Sequence, residues 1–368
     1  MTNFTTGTEK NRSSRFPGKI AIITTIASIN EDDYHSAELL VEKYGADKIV
    51  HMTGSGSFIT DMKKTIDIVA KLEKDREINA LIINQALPGA NALVRKIKET
   101  RADLFIIYCS VHDDFAAAAE CANLLFEPNE LDMGPEMVRQ AKKQGAKTFV
   151  HYSFARHMAM KILADRRDLM KKVCEAEGIL FIDTTIPDPM KEAGFSVARQ
   201  FILDDVPRVS SEHGEDTAFF CTNCHLQASL IKAVVDSHAI YPQPCCPSPY
   251  HGFPQAFGID SGGGMSNLNN LITELCNLAA EKKMTDRLST WPVSASMMFA
   301  NAGAEYAIKW MNGEVKKNRI DDKVLKELMN SYIKEVIGEG VEVTITSYSE
   351  NGVVYDNFKL VLMSYLNL

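Results

Sequence analysis

Two cysteines and a histidine stand together at Cys221-Thr222-Asn223-Cys224-His225. C-x-x-C-H is the spacing by which c-type haem is attached. That chemistry needs both thiols accessible and a further axial ligand for the iron. With the adjacent pair Cys245-Cys246, the same residues offer sulfur and imidazole ligands that suit zinc. Adjacent cysteines are poor partners in one tetrahedral site, however, and the spacing matches no zinc pattern. The flanks favour a plainer reading. Ala218 to Cys221 is apolar and Thr222-Asn223 is polar. Leu226, Leu230, Ile231, Val234 and Val235 then fall on one helical stripe. This is a strand, a turn and a helix, with Cys221 ending a buried strand, so neither a cofactor nor a metal is expected.

Other stretches offer chemistry less specifically. Gly54-Ser55-Gly56-Ser57 presents backbone N–H groups that suit a phosphate. It lacks the full P-loop or G-x-G-x-x-G pattern, and reads as a flexible turn with serine capping the next helix. His151, His157, His213, His238 and His251 are candidates for acid–base work. No Ser-His-Asp or Cys-His arrangement follows from their positions, so they read as satisfied loop or surface residues and the chain as no enzyme, with an enzyme that uses the interlobe cleft kept as an alternative. The proline-rich loop from Tyr241 to Gly258 places Tyr250, His251 and Phe253 where they either stack on a planar ligand or form a rigid connection. Trp291 reads as core.

Alternating strands and helices must position these groups. Lys19 to Thr24 is a continuous apolar run, the mark of a parallel strand buried on both faces. Further strands are expected at Lys48 to Met52, Ala80 to Ile83, Leu104 to Tyr108 and Leu124 to Phe126. A second series follows at Lys147 to His151, Ile179 to Asp183, Ala218 to Cys221 and Ala256 to Ile259. Helices are expected between them. The pattern implies right-handed crossovers and an α/β fold of two similar Rossmann-like lobes with parallel sheets, joined by a multi-strand hinge.

In such sheets ligands sit beyond the carboxyl ends of the strands, in the crevice between lobes. In the first lobe the candidates are Thr24, Thr25, Ser28 and Asn30, then Thr53, Gly54 and Ser55, then Asn84 and Gln85, then Ser110, His112 and Asp113. In the second they are Tyr152, Ser153 and Arg156, then Thr184, Thr185 and Asp188, then Thr222 and Asn223, and Asp260. Each of these also has an ordinary reading as a cap or turn residue.

The order of these motifs resembles the type I periplasmic-binding-protein fold, shared with lactose-repressor-type effector domains. FFCTNCHLQASLIKAVVDSHAI is similar to that family's strand, polar turn and helix, except that Cys224 stands where the family has Asp. That loss removes a natural acceptor for sugar hydroxyls. Ala164 to Gly178 resembles the family's arginine-bearing helix. Phe257-Gly258-Ile259-Asp260-Ser261 resembles its strand at the second crossover, and Leu288 to Asn312 its return to the first lobe. More closely, the chain resembles an uncharacterised bacterial family with this fold. The resemblance implies a lead of residues 1–18, a first lobe of 19–127 plus 262–312, and a second of 128–261 plus 313–368. Hinge segments would lie near Pro128 to Leu131, at Asp260 to Gly264 and beyond Gly313.

Composition narrows the partners. The 368 residues are 45% hydrophobic and 24% charged, with a net charge of -8. No dense Lys/Arg block appears; Lys63-Lys64, Arg166-Arg167 and Lys316-Lys317 read as solvated helix faces. Direct nucleic-acid binding is therefore not expected, and the eighteen residues before Lys19 are too few for the regulators' DNA-binding module. No apolar run reaches the roughly 18 to 20 residues that span a membrane. The polar N-terminus has no signal-peptide core, which suggests the cytoplasm, or an extracytoplasmic site if a leader was removed. Of eight cysteines, four lie in apolar patterns and the spacing is irregular, which fits a reducing compartment. The expected partner is a small polar molecule, with a homodimer or a protein partner as the sensor alternative.

Overall fold

A computed structural model describes residues 16–54, 57–191, 194–259, 268–338 and 341–368. The chain opens with β1 (Lys19–Thr24), α1 (Glu31–Tyr44), β2 (Ile49–Thr53), α2 (Met62–Lys74), β3 (Ile78–Ala86), α3 (Ala90–Lys98), β4 (Phe105–Val111), α4 (Phe115–Cys121) and β5 (Leu124–Pro128). It continues with α5 (Glu130–Lys143), β6 (Thr148–Ser153), α6 (Ala155–Met158), α7 (Lys161–Glu177), β7 (Leu180–Thr185), α8 (Gly194–His213) and β8 (Thr217–Cys221). A 3-10 turn at Cys224–Leu226 leads into α9 (Gln227–Asp236), α10 (Phe253–Phe257), α11 (Leu268–Glu281) and β9 (Ser289–Thr290). The chain closes with α12 (Ala295–Met311), α13 (Asp322–Ile337), β10 (Val343–Glu350), β11 (Val353–Met363) and β12 (Leu366–Asn367).

Two compact units result. Unit 1 holds the chain through Glu127, Ser296–Tyr332 and Thr344–Val361; unit 2 holds Pro128–Ala295, Ile333–Val343 and Leu362–Leu368. This division differs from the expected lobes in two places. Residues 268–295 belong to unit 2, because Leu275, Ala279, Met284 and Leu288 are buried in its core. Residues 313–332 and 344–361 belong to unit 1, where β11 lies beside β5 and Phe358 is buried. The chain therefore passes from unit 2 back to unit 1 at Ala295/Ser296, later than the crossing expected at Asp260 to Gly264.

Unit 1 is built on a seven-stranded sheet of order β10-β11-β5-β4-β3-β1-β2. Strands β1 to β5 run parallel, with Ile23 opposite both Met52 and Ile83. Ile20 to Ile23, Leu81 to Ile83 and Phe105 to Tyr108 are all buried. Burial of successive residues means that both sheet faces are covered, which is why these strands read as unbroken apolar runs. The hairpin β10–β11 turns at Asn351-Gly352, with φ of 51° and 80°. Two residues of positive φ form the turn that matches strand twist.

Unit 2 has a three-stranded parallel sheet, β7-β6-β8, extended by single bridges from Ala218 to Ile240 and from Tyr241 to Leu288. The next strand position is thus taken by Ile240-Tyr241. Residues Ala256 to Ile259 form no strand. Phe253–Phe257 is a short helix, with Pro254 in its first turn and Gly258 capping it at φ 72°. Proline in a first turn and a left-handed glycine cap outweigh the apolar run Phe257 to Ile259. Phe257 to Ile259 is consequently not the family's crossover strand, and Asp260 and Ser261 lie outside the described residues. No helix among the described residues is long and apolar enough to cross a membrane.

Candidate functional site

In unit 1 the carboxyl edge gathers buried polar groups. Thr25, Ser36, Asn84 and Asp33 are at most 3% exposed. Asn84 Nδ2 donates to Ser36 Oγ at 2.8 Å, and Ser36 Oγ donates to the Asp33 carbonyl at 2.6 Å. Thr25 Oγ1 and Asn84 Oδ1 find no hydrogen-bond partner among the described residues. Burial pushes the Asp33 carboxyl well above the usual carboxylate range, a rise that the Ser296 side chain partly offsets. Neighbouring strands leave extended geometry here: Gln85 has φ 81° and Ser110 φ 50°. Left-handed backbone at non-glycine residues is strained and clusters at binding sites.

Several expected residues are committed elsewhere. Asn30 caps α1 by accepting from Asp33 N at 3.2 Å. The Asp113 carboxylate accepts from Gly89 N and Asn91 N at 3.2 and 3.3 Å, so it caps α3. Gly54 N donates to Thr24 O at 2.7 Å. Ser28 and His112 are exposed and Thr53 is half-buried. Ser55 and Gly56 lie outside the described residues, and the cap of α2 is Asp61 rather than a serine. Thr24 Oγ1 lies 2.8 Å from His51 Nε2, and His51 Nδ1 lies 2.7 Å from Glu38 Oε1. This line of hydroxyl, imidazole and carboxylate has the composition of a catalytic triad. Thr24 is 2% exposed, though, and donates to the Thr25 carbonyl at 2.8 Å, so the line fixes the sheet edge rather than presenting a nucleophile.

In unit 2, Ser153 Oγ lies 3.0 Å from Thr222 Oγ1, which lies 2.9 Å from His157 Nδ1. Burial lowers the pKa of His157. Arg156 donates twice to Asp188, at 3.0 and 3.1 Å, and lies over the Phe154 ring. That ion pair borders a depression of about 560 Å³ lined by Phe154, Arg156, Thr185, Asp188 and Lys191. Thr184 is half-buried and Thr185 exposed. Tyr152 instead points into the core, its hydroxyl donating to Asp205 at 2.8 Å. Asn223 caps the helix start by accepting from His225 N at 3.0 Å. Phe253 and Trp291 are buried, so both belong to the core. His151 is also buried, with Nδ1 2.8 Å from Asp183 Oδ1, and desolvation lowers its pKa.

Beside Thr222 a thiol cluster forms that no linear pattern outlines. Cys221 is buried in β8, as its flanks predict, but Cys224, Cys245 and Cys246 converge. Hydrogen bonds from Cys245 and Cys246 pull the Cys224 thiol well below the usual thiol range, while the contact with Cys224 and burial push Cys246 up. His251, rather than His225, supplies the imidazole. Asp33, Ser36 and His51 are the participants hardest to read from sequence. Only their packing marks them.

Solved structures share this architecture. A crystal structure described as "Putative transcriptional regulator from Clostridium difficile 630" is 20% identical, covering 96% of this chain and 100% of that one, with a TM-score of 0.84. The substrate-binding protein of a sugar ABC transport system from Bordetella parapertussis 12822 is 9% identical, covering 96% and 91%, with a TM-score of 0.51. At these identities the likeness shows the fold, which is of the type I periplasmic-binding-protein kind. An uncharacterized protein of Treponema pallidum (strain Nichols) is 29% identical over 164 residues, 45% of this chain and 76% of its own length. A family model described as "Protein of unknown function (DUF3798)" matches residues 18–289, and the chain belongs to that family.

Proposed function

We propose that this protein binds a small, neutral, polar molecule at the carboxyl edges of its parallel sheets, as a solute-binding or ligand-sensing protein. Hinge closure of the kind known for this fold would accompany binding. One observation carries the reading: Thr25 and Asn84 hold buried polar atoms with no partner among the described residues, beside the buried and only partly compensated Asp33 carboxyl, at the edge where such sheets take ligands. Hydroxyl, amide and a carboxyl held against ionisation suit hydroxyl or amide groups rather than an anion. No lysine or arginine stands among these three residues.

A thermal-shift screen against sugars, nucleosides, amino acids and polyols tests this. A true ligand at about 100 times its Kd stabilises by about 2.7 kcal/mol, and Asn84→Ala should shrink that shift. If no compound shifts the wild type, the reading fails. An enzymatic reading would rest on Cys224, an exposed thiol that accepts from Cys245 at 3.2 Å and lies 3.6 Å from Cys246. Its immediate partners are two more thiols rather than a base held by a third group, which suits ligation better than nucleophilic attack.

A further inference from the structure

The thiol cluster of unit 2 has the dimensions of a metal site. Cys224 Sγ lies 3.2 Å from Cys245 Sγ and 3.6 Å from Cys246 Sγ, and the latter two are 4.0 Å apart. His251 Nε2 lies 3.7 Å from Cys245 Sγ. The ligand atoms of Cys224, Cys245 and His251 all lie within 4.8 Å of one another. Around tetrahedral zinc, Zn–S bonds of about 2.3 Å and Zn–N bonds of about 2.0 Å hold ligand atoms about 3.5 to 3.8 Å apart. The observed spacings bracket that range.

Hydrophobic packing does not account for the cluster. Cys109, Cys121, Cys174 and Cys221 are buried and behave as small apolar side chains. Cys245 is half-buried and packs against the core beside Phe220 and Ile240, but Cys224 and Cys246 are exposed, where apolar burial contributes little. Cys245 and Cys246 sit at a bend, which turns both sulfurs toward Cys224 despite their adjacency.

The surrounding scaffold holds the two contributing segments in place. Gln227 Nε2 donates to the carbonyls of Cys221 and Asn223 at 3.0 and 2.6 Å, and Gln227 Oε1 accepts from Tyr241 at 2.5 Å. One buried side chain thus ties the Cys224 turn to the start of the Cys245 loop. Ser289 and Tyr365 hold that loop through the Pro242 carbonyl and Gln243, at 2.6 and 2.5 Å. Pro242, Pro244, Pro247 and Pro249 restrict its backbone further. Gly252 lets it approach α9, since a Cβ there would stand 2.9 Å from Gln227 Cβ. A site prepared this way loses little entropy when a cation enters.

We propose that unit 2 binds one zinc ion through Cys224, Cys245 and His251, with Cys246 as fourth ligand. Binding releases the thiol protons to solvent and involves no redox step. The site lies within unit 2 and does not depend on the small-molecule reading.

Cobalt and zinc titration of the full chain, stripped of metal and kept reduced with a phosphine, tests the proposal. One equivalent of Co²⁺ should give thiolate-to-cobalt charge-transfer absorption and the strong visible bands of tetrahedral coordination, and Zn²⁺ should bleach both. Cys224→Ser and Cys245→Ser should each weaken zinc binding by at least ~100-fold. Cys276→Ser, in a half-buried thiol of α11, should not. Absence of the charge-transfer band, or its survival in both ligand variants, overturns the site. Should the variants fail to fold, alkylation of the wild type decides. Zinc must protect Cys224, Cys245 and Cys246 but not Cys276, and equal alkylation with and without zinc refutes the proposal.

Discussion

Replacing Asp33 by asparagine should stabilise this protein, and increasingly so as pH rises. Asp33 is 0% exposed in the first turn of α1, and the Ser296 side chain offsets its burial only in part. Desolvation raises its folded pKa well above the unfolded value near 3.8. Below the unfolded value, both states carry the proton and no stability is lost. Above it, the unfolded chain ionises while the buried carboxyl resists, so stability drains away until pH passes the folded pKa. The loss is at most about 1.4 kcal/mol per pH unit over that window. Asparagine has nearly the same shape and cannot ionise, so Asp33→Asn escapes this loss. A buried acceptor left unsatisfied costs about 1–3 kcal/mol, more if charged, and the gain at pH 8 should be of that order. Urea unfolding of both proteins at pH 5 and pH 8 measures it. A gap that fails to widen toward pH 8, or a variant less stable at both, would refute the reasoning. If Asp33 also contacts ligand, the same variant should lose the ligand-induced thermal shift while gaining stability, the usual trade at binding sites.

Other perturbations address separate elements. His151 has its folded pKa lowered by burial, so its contribution is intact above the unfolded value of 6.5 and declines as pH falls below it. In His151→Phe the urea midpoint should fall less between pH 7 and pH 5.5 than in the wild type; equal slopes would exclude the histidine. Gly252→Ala places a Cβ 2.9 Å from Gln227 Cβ at a φ of 84°. It should cost more than ~1 kcal/mol by thermal unfolding, beyond what a mere gain in chain stiffness returns. Gln85→Gly relieves a left-handed backbone at φ 81° and should leave stability equal or higher while weakening ligand response. A destabilised variant with unchanged ligand response would show that Gln85 serves the fold alone.

The legible parts of the fold were those in which one local rule acts without competition. β1, β3 and β4 are covered on both faces, so their sequences are unbroken apolar runs. The strand, turn and helix around Cys221 to Asp236 follow from periodicity alone. Phe257 to Ile259 misleads because a short apolar run does not distinguish strand from helix. Pro254 and Gly258 carry the deciding signal. The β10–β11 hairpin had its own cue in Asn351-Gly352 between β-rich runs. The site was harder. Acidic residues are common in the first turn of a helix, so Asp33 looks ordinary beside Glu31 and Asp32 until its burial is known. Cys224 and Cys245 are 21 residues apart, and only folding the proline-rich loop onto α9 brings them together.

Strain and polarity at the unit 1 edge point the same way for independent reasons. Asn84 and Cys109 are partners in the β3–β4 register, so Gln85 and Ser110 leave the two strands at the same level. Each left-handed non-glycine residue costs roughly 1–3 kcal/mol. Glycine would adopt both conformations with little strain, and a fold that needed only the bend would be more stable with it. The retained side chains, beside the unsatisfied Asn84 and the buried Asp33, place the cost in groups that a bound molecule can engage. Unit 2 puts charge and sulfur at its edge instead, through Arg156, Asp188 and Cys224. If each edge serves a ligand, the neutral donors and acceptors of unit 1 set its polarity.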